Sequence, residues 1–331
     1  MAQERASNQT RPLKMATLNL FNYLAPPNAF YDSDNIYTQS QWQLKQLWLA
    51  NHLQSLDADV VAFQEVFSID CLKQQLLELG YPYFTTLDTP AVEHDYLYSQ
   101  PIVALASRFA IIESDSAAMT IPHSPYESFK FSRIPLRATV DIPNIGPIDC
   151  YVVHFKSKRL ELKGDQPATG IEQYSRELMG GWFSLMQRGS EAHLLHRSII
   201  KQKIKTCRPF MLMGDFNNQL GSEEFACFTQ LTSNKTTPAG EMSSIADYTF
   251  HDAWNLDKSP TMPRPATHYY GSNKQTLDYI LLSDEFCHHS ANHLATLAHY
   301  QVNDEHLVTP NNTTDLYSSD HASVMITIEI D

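Results

Sequence analysis

The chain has 331 residues, room for one large domain or two ordinary ones, and its 43% hydrophobic and 18% charged content is globular and excludes a disordered chain. With 37 acidic against 24 basic residues the formal charge is −13, which argues against simple polyanion binding, because affinity for phosphate backbones comes from Lys and Arg. The longest apolar stretch, Ile102 to Ile112, is broken by Ser107 and Arg108 and is too short to span a bilayer, so no transmembrane segment is expected.

The opening MAQERASNQTRPLKM has no apolar run ahead of a cleavage site. The five cysteines, Cys71, Cys150, Cys207, Cys227 and Cys287, are scattered and form no CxxC pair. Both features point to a reduced, cytoplasmic protein, with secretion of a processed form left open. Residues 1–13 are polar and read as a flexible tail. The absence of repeats, low-complexity tracts and Gly/Ser linkers makes 14–331 a single domain, expected to act as a monomer.

In chain order, Met15–Phe21 reads as a strand and Trp42–Leu53 as a helix that turns Leu44, Leu47, Trp48 and Leu53 to one face. Val60–Gln64 is a second strand, and Ile69–Leu79 a helix with Leu72, Leu76 and Leu77 inward. The runs Ile102–Ser107, Leu136–Ile142 and Ile148–His154 follow as strands rich in Val and Ile. Trp182–Lys205 is the longest helix, with Leu185, Leu195, Ile199 and Ile200 toward a core. Pro209–Asp215 is the next strand, after which Ser222 with Glu223 and Glu224 looks like a helix start. Leu277–Ser283 and Ala322–Ile330 complete the strands, and ATVDI and SVMITIEI alternate as antiparallel strands buried on one face do. Asn234–Tyr270 and His288–Ser319 lack clear periodicity and read as long loops. Strands interleaved with helices indicate a layered α/β protein. The charge is uneven: Lys130 to Arg208 holds about 14 basic and 7 acidic residues, a positive strip on a negative body.

Chemistry gathers where apolar strands end in polar groups, since a buried carboxylate needs a partner. VVAFQE ends in Glu65, a hard oxygen ligand suited to Mg²⁺, although an exposed acid past a strand is as common. YVVHFKSKR ends a strand in His154 and follows it with Lys156, Lys158 and Arg159, cations able to hold an anion; taken alone, a satisfied core histidine is the commoner case. FMLMGDFNN puts Asp215 and Asn217 two apart, so in an extended segment both face one pocket, although Gly, Asp and Asn also suit an ordinary turn. Asp278 lies in the apolar QTLDYI and pairs naturally with His321 of SSDHA, which leaves Asp320 for a metal or a water. The alternative there is two unrelated turn residues. No P-loop or GxSxG elbow is present.

Taken in order, Asn19, Glu65, His154, Asp215-x-Asn217, Asp278 and Asp320-His321 resemble the endonuclease/exonuclease/phosphatase superfamily, with its deoxyribonuclease I-like fold, from about Met15 to Ile330. The resemblance implies a four-layered α/β sandwich: two mainly antiparallel sheets packed face to face, with helices outside. It implies hydrolysis of a phosphoester with Mg²⁺ or Mn²⁺. Glu65 would be the principal metal ligand, with Asn19 close by and Asp320 a second acid. Asp278 and His321 would be an orienting pair, with His321 a base or phosphate-binding partner. Asp215 and Asn217 would position the attacking water and the phosphate. His154 would donate to a phosphoryl oxygen or the leaving group, and Arg133 and Lys156 would contact phosphate.

Deoxyribonuclease-like members pair the first histidine with a glutamate; the nearest residue here is Gln100, and the HFKSKR string with its long sequel is more like the broad bacterial branch. From the motif set and the basic strip bearing His154, Lys156, Lys158 and Arg159, the expected function is a nuclease-like phosphodiesterase with a phosphoester substrate, nucleic acid among the candidates. The alternative is a phosphatase or phosphodiesterase acting on a lipid head group, inositol phosphate or nucleotide. The group Cys287, His288, His289, His293, His299 and His306 reads as a solvated loop and receives no metal.

Overall fold

The computed structural model describes residues 11–122, 124, 126–158, 169–229 and 248–330; the proposed tail up to residue 10, Arg159 and positions 234–247 of the first long loop lie outside them. The first half runs β1 (Leu13–Tyr23), β2 (Ala29–Phe30), α1 (Gln39–Leu56), β3 (Val60–Val66), α2 (Ile69–Glu78), β4 (Tyr83–Thr85), β5 (Ala91–Glu93), β6 (Leu97–Gln100), β7 (Ile102–Ser107) and β8 (Ile111–Ser116). The second runs β9 (Leu136–Ile142), β10 (Gly146–His154), α3 (Ile171–Thr206), β11 (Phe210–Asp215), β12 (His251–Asp252), β13 (His268–Tyr270), β14 (Asn273–Gln275), β15 (Asp278–Leu282), β16 (Ala295–Asn303) and β17 (Ser323–Ile330).

Two six-stranded sheets dominate, ordered β16-β17-β1-β3-β7-β4 and β12-β15-β11-β10-β9-β8. Each is antiparallel except for one central parallel pair, β1/β3 in the first and β10/β11 in the second. Parallel neighbours need a long crossover, and the helices α1 and α3 supply it.

Period-two alternation sorts the side chains into layers. Met15, Ala62, Val152, Met213 and Ile280 face the interface between the sheets and form its core. Their chain neighbours Ala16, Val61 and Phe63 pack under α1 and α2, and Tyr151, Val153 and Leu212 pack under α3. The result is helix, sheet, sheet, helix: the four-layered sandwich expected from the sequence.

Four local readings change. Leu13 is buried and paired with Ile328, and Arg11 holds Asp57 at 2.8 Å, so ordered chain starts before residue 14. Leu47 and Leu77 face solvent, whereas Lys45 is buried in α1. Ser222 precedes a short 3₁₀ turn, Glu223–Phe225, without capping it through its side chain. The stretch read as a loop after His288 contains β16, whose alternation is broken by a bulge between Leu297 and His299 that hides the strand period.

Helix α3 starts at Ile171, eleven residues before the periodic run at Trp182. Its first turns hide their periodicity because the inward face is small or polar (Gly180, Ser184), while Tyr174, Leu178 and Trp182 face outward. No described helix is long and apolar enough to cross a membrane.

Candidate active site

Asn19, His154 and Asp215 occupy the same alternation phase as the inter-sheet core, two to four residues beyond its last apolar members (Met15, Val152 and Met213) at the C-terminal ends of the parallel strands. Asp278 opens β15 in that phase and His321 precedes β17, both on antiparallel neighbours whose N-terminal ends lie at the same edge. The apolar layer thus continues into a polar cap. Asp215 pairs in register with His154 on one side and Asp278 on the other.

Asp215 Oδ2 is the hub. It accepts from Asn19 Nδ2 at 3.1 Å and Asn217 Nδ2 at 3.2 Å, and it lies 3.4 Å from His154 Nε2 and 4.0 Å from His321 Nε2. Its Oδ1 accepts from the Asn217 backbone at 2.7 Å, an arrangement made by the left-handed turn at Asn217 (φ 56°). Gly214 lets β11 lie this close to β10: a Cβ there would sit 2.0 Å from the Val153 carbonyl oxygen. His321 Nδ1 bonds Asp278 Oδ2 at 2.8 Å, and the second Asp278 oxygen is buried without a partner.

Glu65 is out of phase with the core and reaches the site by backbone conformation. Its φ of 59° accompanies a register shift between Phe63 and Val66, and it turns the carboxylate to accept from Asn19 Nδ2 at 3.4 Å and the Asn22 backbone at 2.9 Å. Asp320 is half-buried, with Oδ1 4.0 Å from His321 Nε2. Its carboxylate and ligand atoms of His268 and His321 lie within 4.8 Å of one another, as do those of Asp215, Asp278 and His321. Carboxylates and a carboxamide are hard oxygen donors, so Glu65, Asp320 and Asn19 could hold a divalent cation of the Mg²⁺ class.

The two histidines are tuned in opposite directions. Burial, with the charges of Arg133, His321 and Lys156 adding to it, holds His154 well below the usual imidazole range, so it is neutral; its Nδ1 has no partner. Burial also disfavours charge on His321, but the Asp278 and Asp215 carboxylates outweigh it and hold His321 well above that range. Burial pushes Asp215 up to about 7, against the pull of His321.

Arg133 donates to the Phe155 carbonyl at 3.2 Å, and Asn217 Nδ2 donates to the same oxygen at 3.0 Å, so the guanidinium is tied beside His154 and Asn217. Lys156 lies near enough for its charge to act on His154. Gln100 is exposed at the end of β6.

Several supporting residues escape a reading by motif. Glu191 on α3 is buried and accepts from the backbone N–H groups of Ser132 and Lys156 at 2.7 and 2.8 Å, clamping the two segments that carry Arg133 and Lys156. Arg188, one turn earlier, bonds the Lys156 carbonyl and pairs with Glu224, which also holds Asn218. Their only sequence signal is charge on the inward face of an otherwise ordinary helix. Thr267 Oγ1 accepts from the N–H groups of Leu277 and Asp278, and Ser319 Oγ donates to the Asn19 carbonyl at 2.6 Å. Lys45 lies 5.6 Å from the Phe21 and Tyr37 rings, its Nζ without a hydrogen bond. Burial lowers it to about 8, while Asp320 and Glu65 act in the opposite direction.

Residues 35–321 match the model of the Endonuclease/Exonuclease/phosphatase family, and the chain belongs to that family, whose members hydrolyse phosphoester bonds and generally use divalent metal ions. No curated protein sequence gives a match. Among solved structures, the human Nocturnin catalytic domain with bound sulfate anion is similar at 19% identity and TM-score 0.58, over 98% of this chain and 96% of that one. A family protein from Bacteroides thetaiotaomicron is similar at 17% and 0.56, over 97% and 99%, and a humanized D. rerio TDP2 at 16% and 0.56, over 96% and 99%. These likenesses concern the fold.

Proposed function

We propose that the chain is a Mg²⁺- or Mn²⁺-dependent phosphodiesterase of nuclease type. The observation that carries the reading is the ring of four nitrogens around Asp215 Oδ2, set beside two carboxylates, Glu65 and Asp320, at one end of the inter-sheet core. Glu65, Asp320 and Asn19 would hold the cation. Bound there, a divalent ion supplies neutralisation of the phosphoryl oxygens and of the departing oxygen.

The protein's own groups do the rest. Asp215, raised toward neutrality, takes a proton from the attacking water at its Oδ2, and Asn217 and Asn19 fix that oxygen's orientation. His321 stays protonated through Asp278 and faces the phosphoryl group as a cationic donor. Neutral His154 donates a hydrogen bond to a phosphoryl or leaving-group oxygen. Arg133 and Lys156 add positive charge at the mouth on the His154 side. The Nocturnin catalytic domain, which is similar in fold, was solved with a bound sulfate anion, in keeping with anion binding.

The net charge of −13 favours a second reading, a phosphatase or phosphodiesterase for a lipid head group, inositol phosphate or nucleotide. A substrate panel with Mg²⁺ separates them. Cleavage of oligonucleotides or plasmid supports the nuclease form; EDTA-sensitive turnover of small phosphoesters alone supports the second. No turnover of any phosphoester rejects both.

A further inference from the structure

We propose that His251, Asp284 and Cys287 form a binding site for a zinc-class divalent transition metal, separate from the phosphoester site. His251 opens β12, and Asp284 and Cys287 lie on the turn that follows β15. One ligand atom from each, an imidazole nitrogen, a carboxylate oxygen and a thiol sulfur, all lie within 4.8 Å of one another. His251 pairs in register with Leu282, at the opposite end of β15 from Asp278, which puts roughly 13 Å of strand between the two sites.

Three features make this more than an ion pair beside a cysteine. His251 Nε2 is shielded from solvent and has no hydrogen-bond partner, although Asp284 Oδ1 lies 3.3 Å away, close enough for attraction but misaligned for a hydrogen bond. Cys287 is buried, yet its sulfur is in reach of both other groups. The donor set is also the right kind: nitrogen, sulfur and oxygen together select zinc-class ions, whereas Mg²⁺ prefers the oxygen donors around Glu65.

Charge balances as well. Coordination breaks the Cys287 S–H bond and releases its proton to solvent, leaving thiolate, carboxylate and neutral imidazole around a dication with no net charge. Neutrality suits a half-buried site. Three other histidines of this part of the chain are otherwise engaged. His293 uses Nδ1 on the Cys287 carbonyl and Nε2 on Thr296, His299 lies 3.4 Å from Asp257, and His306 bonds the His321 carbonyl.

The test is Co²⁺ titration of the full chain, stripped by dialysis and held in excess Mg²⁺ to occupy oxygen-donor sites. The expected result is one Co²⁺ per chain with a near-ultraviolet thiolate-to-cobalt absorption band that Zn²⁺ displaces. Cys287→Ser should abolish the band, Cys207→Ser should leave it intact, and His251→Ala should weaken the Co²⁺ affinity by at least about tenfold. If Cys287→Ser does not fold, the wild-type band and the His251→Ala shift decide. A folded wild type with no band, a band lost in Cys207→Ser, or one titrating unchanged in His251→Ala overturns the proposal. None of these readouts depends on phosphoester hydrolysis.

Discussion

Asp215 is raised chiefly by its burial, with the Asp278 and Glu65 carboxylates adding to it against the pull of His321; the same surroundings would make it a base rather than a spectator. Not every displaced group near the site is chemical. His52 on α1 stacks on Trp48 and bonds Ser323 Oγ at 2.9 Å. Burial, with repulsion from His306, lowers it from 6.5 to about 3. Folded protein therefore keeps His52 neutral across that window while unfolded chain takes up a proton near 6.5. The unfolded state binds more protons, so the His52 contribution to stability is lost as pH falls from 6.5 toward 3. We expect His52→Gln to flatten this acid limb, measured as unfolding midpoint against pH; an unchanged slope would show that His52 is not responsible. The residues that end apolar strands (His154, Asp215) were legible because polarity interrupts an apolar run in the core phase. Glu65 was legible as a residue, but its approach was not: the left-handed backbone that turns it inward has no local signature in VVAFQEV.

At the scale of elements, α3 does two jobs. Its later turns cover the second sheet through Leu195 and Ile199, and its middle turns pin the segments that carry Arg133 and Lys156 through Glu191 and Arg188. Glu191→Ala leaves two backbone N–H groups without their acceptor and should lower stability by about 1–3 kcal/mol. If the clamp positions cations for substrate, the variant should raise KM more than it lowers kcat, read from steady-state kinetics on a phosphodiester. An equal fall in kcat at constant KM would place Glu191 elsewhere in the chemistry. The helix core near Leu195 was readable from its apolar period. The first turns were not, because their inward face is Gly180 and Ser184, and neither was β16, whose bulge shifts the phase.

For the molecule as a whole, two crossover units, β1-α1-β3 and β10-α3-β11, place the C-terminal ends of their parallel strands at one edge of the sandwich. That convergence, rather than any single motif, gathers residues as distant in sequence as Asn19 and Asp215. Motif order along the chain made the architecture readable; the long-range pairings, such as Ser319 with Asn19, were beyond any local pattern. In sequence, the basic segment from Lys130 to Arg208 includes His154, on an otherwise acidic chain. Cleavage of a long polyanion should therefore weaken steeply as salt rises, because the strip is screened and the remainder repels, while turnover of a small phosphodiester should change little. Equal salt dependence for both substrates, measured as kcat/KM, would remove the strip from substrate binding.

The most direct test of the central claim is hydrolysis of a small phosphodiester with added Mg²⁺ by wild type, Asp215→Asn and Glu65→Gln, each with and without EDTA. A metal-assisted site built around Asp215 requires activity that EDTA abolishes and Mg²⁺ or Mn²⁺ restores. It also requires a loss of at least about a hundredfold in folded Asp215→Asn, and a raised Mg²⁺ requirement in Glu65→Gln. Hydrolysis that persists in EDTA, or that Asp215→Asn leaves at the wild-type rate, would contradict it.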